Sequence, residues 1–433
     1  MSENKIVSKI SKIVLLITVV NIYSFFVYKV NTQDDANLGF LPLAIKHFSR
    51  IPENISNTLQ GISEETHGEE DLAFKIKNKL DYDLYALNGN FMGPYWEINL
   101  KNLKNDSVIK KWRLNKSDFI QTERFFDRTG PRTPIILPDE SLILTMDESN
   151  NMYRIDKNST VKWHNTDHQY HHSINLSADG NIWACTRKRI NLKKQNINYW
   201  QNGIAKIDVN TGEVLYHETM YEILYNNNLQ YLIHGSSNAI NRLGHDPTHL
   251  NDIEPIVADG PYWKKGDLLL SLRNKSLILL YRPSNKKIIR TIQGPFFNQH
   301  DVDIVNDSTI SLFNNNVTSL RKIKNFTGLS ENDFSVNDTL TANSVSGVMS
   351  YSFSDSTFSS TFPNQFASEG IYSETEGLHH FTKKGDLFIE SQNNGRIYII
   401  NDEEIILRDY MNDPIDGKVE LSHWIRIYED LKF

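Results

Sequence analysis

The sequence predicts an all-β domain, a β-propeller of six blades with seven as the alternative, set behind an N-terminal transmembrane helix and a helical stalk. Three observations carry this reading. Hydrophobic residues make up 39% and aromatic residues 11% of the 433, with 19 Tyr, 21 Phe and 7 Trp, the side chains that fill cores between sheets. A unit of about 40 residues holding three or four short apolar runs recurs along most of the chain. Near the start, sixteen uncharged residues from Ile13 to Tyr28 stand between lysines.

That first run reads as a membrane span. It lies just under the usual ~17–25 residues, and Lys12 and Lys29 can snorkel to the two interfaces and extend it. Lys5, Lys9 and Lys12 ahead of it predict a cytoplasmic N-terminus, which puts the remainder on the extracytoplasmic, periplasmic side. A cleaved signal peptide would need small residues where Tyr23, Phe25, Phe26 and Tyr28 stand, so an uncleaved signal-anchor over residues 1–30 is favoured. Residues 31–80 place Leu38, Leu41, Ile45, Phe48, Ile51, Ile55 and Leu59 at helical spacing and read as a stalk or linker. The propeller is assigned to residues 81–433.

Within it the repeat begins at a turn rich in Asp, Gly or Asn and runs through three apolar stretches. Asp179-Gly180 leads to Ile182-Trp183-Ala184, then Ile204 to Asp208, then Val214-Leu215. Gly266-Asp267 leads to Leu268–Leu272, Leu277–Tyr281 and Ile288-Ile289; Gly385-Asp386 leads to Leu387–Ile389, Arg396–Ile400 and Ile405–Leu407. Weaker copies start at Asp139 and Asp307. The starts at 139, 179, 267, 307 and 386 are 40, 88, 40 and 79 residues apart, so two intervals are one period and two are nearly double. One blade cannot bury both its faces, which requires several to close into a ring. With Tyr95 to Trp112 as a first blade, six are expected. The Ser-, Thr- and Asn-rich stretch from Val317 to Pro363 is expected to hold one degraded blade and a long excursion.

Charge excludes one class of partner. Lys plus Arg number 46 and Asp plus Glu 53, without a basic stripe, so nucleic acid is not expected. The one cysteine, Cys185, forbids an intramolecular disulfide and a thiolate metal cluster.

Histidines concentrate ahead of three repeats. His171-His172 precedes Ser173–Leu176, His249 precedes Leu250–Ile253, and His300 precedes Asp301–Ile304. Each position opens the strand before a turn, the strand that lines the channel of a propeller, so the three can converge on one mouth. A lone histidine there is commonly a structural donor; three at matching places point to a site. Arg273, in Ser271-Leu272-Arg273-Asn274, follows a channel-directed strand and is a candidate anion clamp.

These residues resemble a family. Asp246-Pro247-Thr248-His249-Leu250-Asn251-Asp252, Leu268 to Asn274, Gln293 to Asp301 and Ser311 to Asn316 are similar, in order and local spacing, to the core of the bacterial arylsulfotransferases. The likeness covers roughly residues 95–428 and implies a six-bladed propeller that transfers sulfuryl groups from an aryl sulfate to a phenolic or other hydroxyl acceptor. It implies that His300 takes up the sulfuryl group, that His249 and Arg273 hold its oxygens, and that His172, or else His171, is the fourth member. Asn251 and Asp301 are expected around them as orienting groups. Glu390 to Arg396 resembles the closing blade. The N-terminal region departs from the family's soluble members.

No cofactor is expected, and no phosphate-cradling Gly-rich loop is present. Asp252, Asp301 and Asp303 could complete a metal site with the histidines, but an arginine among them would repel a cation, so no metal is expected there. The alternative to an enzyme is an anchored, non-catalytic propeller that binds an anionic ligand or a protein.

Overall fold

The computed structural model describes residues 67–69, 71–90, 95–115, 131–146, 150–192, 197–234, 245–317, 345–415, 417–421 and 424–431. The chain divides into two compact units, 1–64 and 65–433, and every described residue belongs to the second. The anchor assigned to residues 1–30 and the stalk up to residue 66 therefore lie outside the described residues. Among those described, no helix is long and apolar enough to cross a membrane.

In chain order, β1 (His67–Glu69) and β2 (Lys77–Asn78) precede the first blade, β3 (Tyr85–Asn90), β4 (Tyr95–Asn102) and β5 (Ser107–Asn115). The second is β6 (Pro131–Ile136), β7 (Leu142–Met146), β8 (Met152–Ile155) and β9 (Val161–Asn165). The third is β10 (Gln169–Leu176), β11 (Ile182–Leu192), β12 (Ile197–Ile207) and β13 (Val214–Thr219), followed by two short helices, α1 (Met220–Asn226) and α2 (Tyr231–His234). The fourth is β14 (Leu250–Pro255), β15 (Leu268–Leu272), β16 (Leu277–Arg282) and β17 (Lys287–Ile292). The fifth is β18 (His300–Ile304), β19 (Thr309–Asn314), β20 (Gly347–Ser352) and β21 (Thr357–Thr361), followed by α3 (Pro363–Glu369). The sixth is β22 (Leu378–Phe381), β23 (Leu387–Ser391), β24 (Arg396–Ile400) and β25 (Ile405–Tyr410), and β26 (Lys418–Glu420) and β27 (Arg426–Tyr428) end the chain.

Each blade is an antiparallel meander. Its middle strands are apolar on both faces because both faces are covered: β15 is buried at all five positions, whereas the outer β17 alternates toward solvent. The buried side chains form six clusters, one at every junction between neighbouring blades. Trp183 and Ile204 of the third blade meet Leu268, Leu270 and Tyr281 of the fourth. The sixth blade meets the first through Phe388, Ile397 and Ile399 against Leu84, Ala86 and Leu103, which closes the ring at six.

Closure uses both ends of the unit. β27 pairs with β3 (Arg426 with Leu87, Tyr428 with Tyr85) and becomes the innermost strand of the first blade. β2 pairs with β25 at the outer edge of the sixth. Within residues 67–80, assigned to a helical stalk from sequence, the structure has two short strands joined through a turn at Asp71–Phe74: β1 pairs with β26 and β2 joins a blade. The helical spacing upstream does not continue into them, and the register of an open sheet edge overrides it.

The two nearly doubled intervals contain insertions and no hidden blade. Between Asp179 and Asp267 the excess lies in the long β11–β12 hairpin and the segment with α1 and α2. Between Asp307 and Asp386 it lies in the β19–β20 connection and α3. The stretch from Val317 to Pro363 supplies β20 and β21, the outer half of the fifth blade, in place of a degraded blade of its own. The segment Glu390 to Arg396 lies in the sixth blade, the last of the ring, whose outer edge is completed by β2.

Removing residues 424–433 deletes β27 and leaves the inner edge of β3 open. The shortened protein is expected to lose its cooperative thermal transition and to elute as aggregate on size exclusion; a monomer with wild-type melting would contradict this account of closure.

Candidate active site

In a four-stranded meander, the start of the innermost strand and the hairpin joining the second and third strands lie at the same end. The Asp-bearing turns lie at the other. The mouth of the channel is therefore built from the starts of the inner strands together with the β15–β16, β19–β20 and β23–β24 connections. At the start of the innermost strand every blade has a left-handed, non-glycine residue: Thr133 (φ 45°), His172 (57°), His249 (49°), Asp301 (52°), Glu376 (63°) and Trp424 (63°). Such conformations cost of order 1–3 kcal/mol and persist where the surroundings over-determine them. In β6, β10, β14 and β18 they accompany a shift of register, which turns the leading side chains toward the axis. His172 and His249 occupy the left-handed position itself. His300 stands one residue before it, a difference from the matching places read in sequence.

The imidazoles form a chain. His171 Nδ1 is 2.7 Å from His172 Nδ1, His172 Nε2 is 3.3 Å from His249 Nε2, and His249 Nδ1 is 2.9 Å from Asp246 Oδ2. Asp246, ahead of β14, also holds the His249 backbone N–H (3.0 Å) and accepts from Asn202 Nδ2 (2.7 Å). Burial opposes its charge, yet the bond to His249 holds its carboxyl below the ordinary range. An ionised Asp246 accepts from His249 Nδ1–H. The contacts are then satisfied with protons running from His171 to His172 to His249, or reversed with His249 protonated at both nitrogens. Burial, followed by the neighbouring His249, His171, His300 and Arg132, keeps His172 neutral well below the ordinary imidazole range.

His300, on β18, lies beside this chain, its ring centroid 6.1 Å from that of His172. Its Nδ1 is 2.7 Å from Asn315 Oδ1. The Asn315 amide nitrogen donates to the carbonyls of Ser373 (2.9 Å) and Glu376 (2.5 Å), so its oxygen must face His300 and accept. That assigns the His300 proton to Nδ1 and leaves Nε2 with its lone pair. Burial, then the Arg273 charge, hold His300 neutral well below the usual imidazole range. Arg273 opens the short helical turn after β15, where its backbone N–H donates to the His249 carbonyl (3.0 Å). Among the described residues its guanidinium makes one hydrogen bond, to Asn274 Oδ1 (3.1 Å), leaving most of its fork uncommitted. The mouth thus offers an unprotonated nitrogen, a fixed cation and a hydrogen-bonded imidazole chain.

A profile of the arylsulfotransferase (ASST) family matches residues 133–412. The chain belongs to the arylsulfotransferase family. No curated sequence matches it. Among solved structures, it is similar to a protein of unknown function from Bacteroides caccae (10% identity, TM-score 0.46), over 76% of this chain and 93% of that one. It is also similar to virginiamycin B lyase from Staphylococcus aureus (12% identity, TM-score 0.36), over 66% and 72%.

Two groups of this arylsulfotransferase-like enzyme were not singled out in the sequence. Arg132, buried at the start of β6, has Nη1 3.2 Å from Glu376 Oε1 and bears on His172. The pair Arg132-Thr133 occupies the position of His171-His172 in the neighbouring blade, and that parallel is the signal which could have found it. Asn315 lies inside the Ser311–Asn316 motif but carries no charge to draw notice.

Two expected orienting residues act differently. Asn251 donates to the Gln299 carbonyl (2.7 Å), steadying the backbone ahead of His300 and touching no imidazole. The Asp301 carboxylate accepts from the His379 backbone N–H (2.7 Å), away from the mouth. With Asp252 and Asp303 it lines a cavity of about 280 Å³ that also meets His379, Arg426 and Trp424 and none of the four mouth histidines. The carboxylates weighed as metal partners for those histidines therefore stand apart from them. Burial, reinforced by Asp301, pushes Asp252 up to about 7, and burial pushes Asp301 to about 7 as well.

His171 gives a test of the mouth's electrostatics. Burial first, then Arg187 and His249, lower it from 6.5 to about 3; Asp246 opposes this, and His172 is its hydrogen-bond partner. Between those pH values the unfolded chain takes up the proton and the folded one does not, so this contribution is intact above 6.5 and lost as pH falls toward 3. His171→Gln is expected to show a smaller drop in melting temperature than wild type between about pH 7 and pH 4.5. Parallel drops in the two proteins would refute the assignment.

Proposed function

We propose that this arylsulfotransferase moves a sulfuryl group from an aryl sulfate to a phenolic or other hydroxyl acceptor in two displacements, with His300 as the intermediate carrier. The observation that carries the reading is the Asn315-fixed tautomer of His300, which presents Nε2 as a nucleophile beside Arg273 and the His172–His249 pair.

In the first step the Nε2 lone pair attacks sulfur as the bond from sulfur to the aryl oxygen breaks. The departing phenolate takes a proton from the His172–His249 chain, whose far end is steadied by Asp246. The sulfuryl-imidazolium keeps its Nδ1–H on Asn315 Oδ1, which spreads the new positive charge. In the second step the acceptor hydroxyl returns a proton to the chain, its oxygen attacks sulfur, and the nitrogen–sulfur bond breaks. The transition state is loose and anionic, by analogy with phosphoryl transfer, so holding its oxygens matters more than covalent pull. Arg273 supplies a planar fork that stays charged despite burial. Proton transfer by the chain is worth about 10²–10⁴-fold.

The anchor reading of residues 1–30 belongs with this proposal. An aryl sulfate carries its own activated group, so the reaction needs no diffusible sulfonucleotide and suits a domain held on the periplasmic side.

His300→Ala should lose transfer from a chromogenic aryl sulfate by about 10³-fold or more while keeping its melting temperature. Brief exposure of wild type to donor, followed by quenching and mass spectrometry, should find one sulfuryl group on the His300 peptide. Asn315→Leu should lower kcat by about 10²-fold with a smaller change in KM. Full activity in His300→Ala, or no turnover of any aryl sulfate by wild type, would remove the proposal.

A further inference from the structure

Deeper in the channel, the wall between the fifth and sixth blades carries groups that sulfuryl transfer does not use. Asp301 and Asp303 extend from β18 and His379 from β22, and one ligand atom from each lies within 4.8 Å of the others. All three line the cavity of about 280 Å³, with Asp252 beside them. The His379 side chain is fully buried. Its Nε2 lies 2.7 Å from Ser311 Oγ. Its Nδ1 has no hydrogen-bond partner, although Asp301 Oδ2 stands 2.8 Å away. That oxygen also accepts from the His379 backbone N–H.

In the tautomer that donates Nε2–H to Ser311, Nδ1 keeps a lone pair beside Asp301 Oδ2, a pairing that repels itself, while Asp303 Oδ2 lies 4.0 Å from Nε2 on the same ring. A cation among them converts the repulsion into coordination. A ligating histidine is characteristically held in this way, its second nitrogen bonded to an outer partner that fixes the tautomer. Arg426, which also lines the cavity, spends its hydrogen bonds on the Ile174 carbonyl (2.8 Å), Asn175 Oδ1 (3.1 Å) and the Pro134 carbonyl (3.3 Å), on the second and third blades, so its charge reaches Asp301 and Asp303 without a hydrogen bond to either.

We propose that Asp301, Asp303 and His379 Nδ1 hold one divalent transition-metal cation, of the Mn²⁺ or Zn²⁺ class, which ties the inner strand of the fifth blade to that of the sixth. Asp252 is placed to add a fourth oxygen. Two carboxylate oxygens and an imidazole nitrogen favour these ions over Ca²⁺ and Mg²⁺, which prefer all-oxygen shells. The site is structural and separate from the mouth, so its fate is independent of the sulfuryl-transfer reading.

Full-length protein, stripped with a chelator, is titrated with MnCl₂ or ZnCl₂, with MgCl₂ and CaCl₂ alongside. Loss of the free-ion electron paramagnetic resonance signal should report one Mn²⁺ per chain, and saturating Mn²⁺ or Zn²⁺ should raise the melting temperature by about 5 °C. Asp303→Asn and His379→Gln should each weaken binding by about tenfold or more and abolish the rise. Metal-free Asp303→Asn should melt no lower than metal-free wild type, because burial already disfavours the Asp303 charge and the amide keeps the side chain's shape; this separates lost binding from lost folding. The proposal is overturned if neither ion binds, if Mg²⁺ or Ca²⁺ binds as tightly as Mn²⁺, or if both variants respond like wild type.

Discussion

The rest of the structure depends on burial between blades. Each sheet is apolar on both faces, so no blade is stable alone, and each gains its partner only when the next lies against it. Six such junctions are satisfied at once when the sixth blade meets the first through Phe388, Ile397, Leu84 and Ala86. The convergence of His172, His249 and His300, far apart in the chain, follows from that closure and from nothing local. A defect at any junction would displace the imidazoles relative to one another, even though no single blade carries them all.

The channel is divided by charge along its axis. At the mouth, imidazoles stand with the cations Arg132 and Arg273. Deeper, Asp252, Asp301 and Asp303 line a cavity with Arg426. Thr133 and Trp424 line that cavity and also touch His172: Thr133 Oγ1 is 3.4 Å from its carbonyl, and the Trp424 ring is 5.9 Å from its imidazole. The left-handed turn at Asp301 separates neighbours in sequence, sending His300 to one compartment and the Asp301 carboxylate to the other.

Much of this was legible in the residues. The period near 40 and its apolar runs identify strands two to four of each blade, because those strands are buried on both faces and bounded by Asp-Gly turns. The innermost strands were read from their histidines, since a channel-lining strand is polar and has no apolar run. The doubled intervals kept seven blades open as the alternative to six, because spacing cannot distinguish a long hairpin such as β11–β12 from a faded repeat. The strands β1 and β2 do not show in the sequence pattern because they are specified by distant edges, β26 and β25, that no local window contains. Asn315 escaped notice because its role comes from the carbonyls of Ser373 and Glu376, more than fifty residues on.

The position of β27, behind the sixth blade in sequence but within the first blade in space, has a consequence for biosynthesis. Chains emerge from the ribosome N-terminus first, and domains fold as units. The first blade leaves the ribosome before the others, yet its innermost strand, β27, is made only after the strands of all the later blades. Until β27 emerges, the edge of β3 stays available to any passing strand, and the nascent protein is open to mispairing there. A chaperone that shields sheet edges would matter more to the yield of this protein than to one whose blades are each continuous.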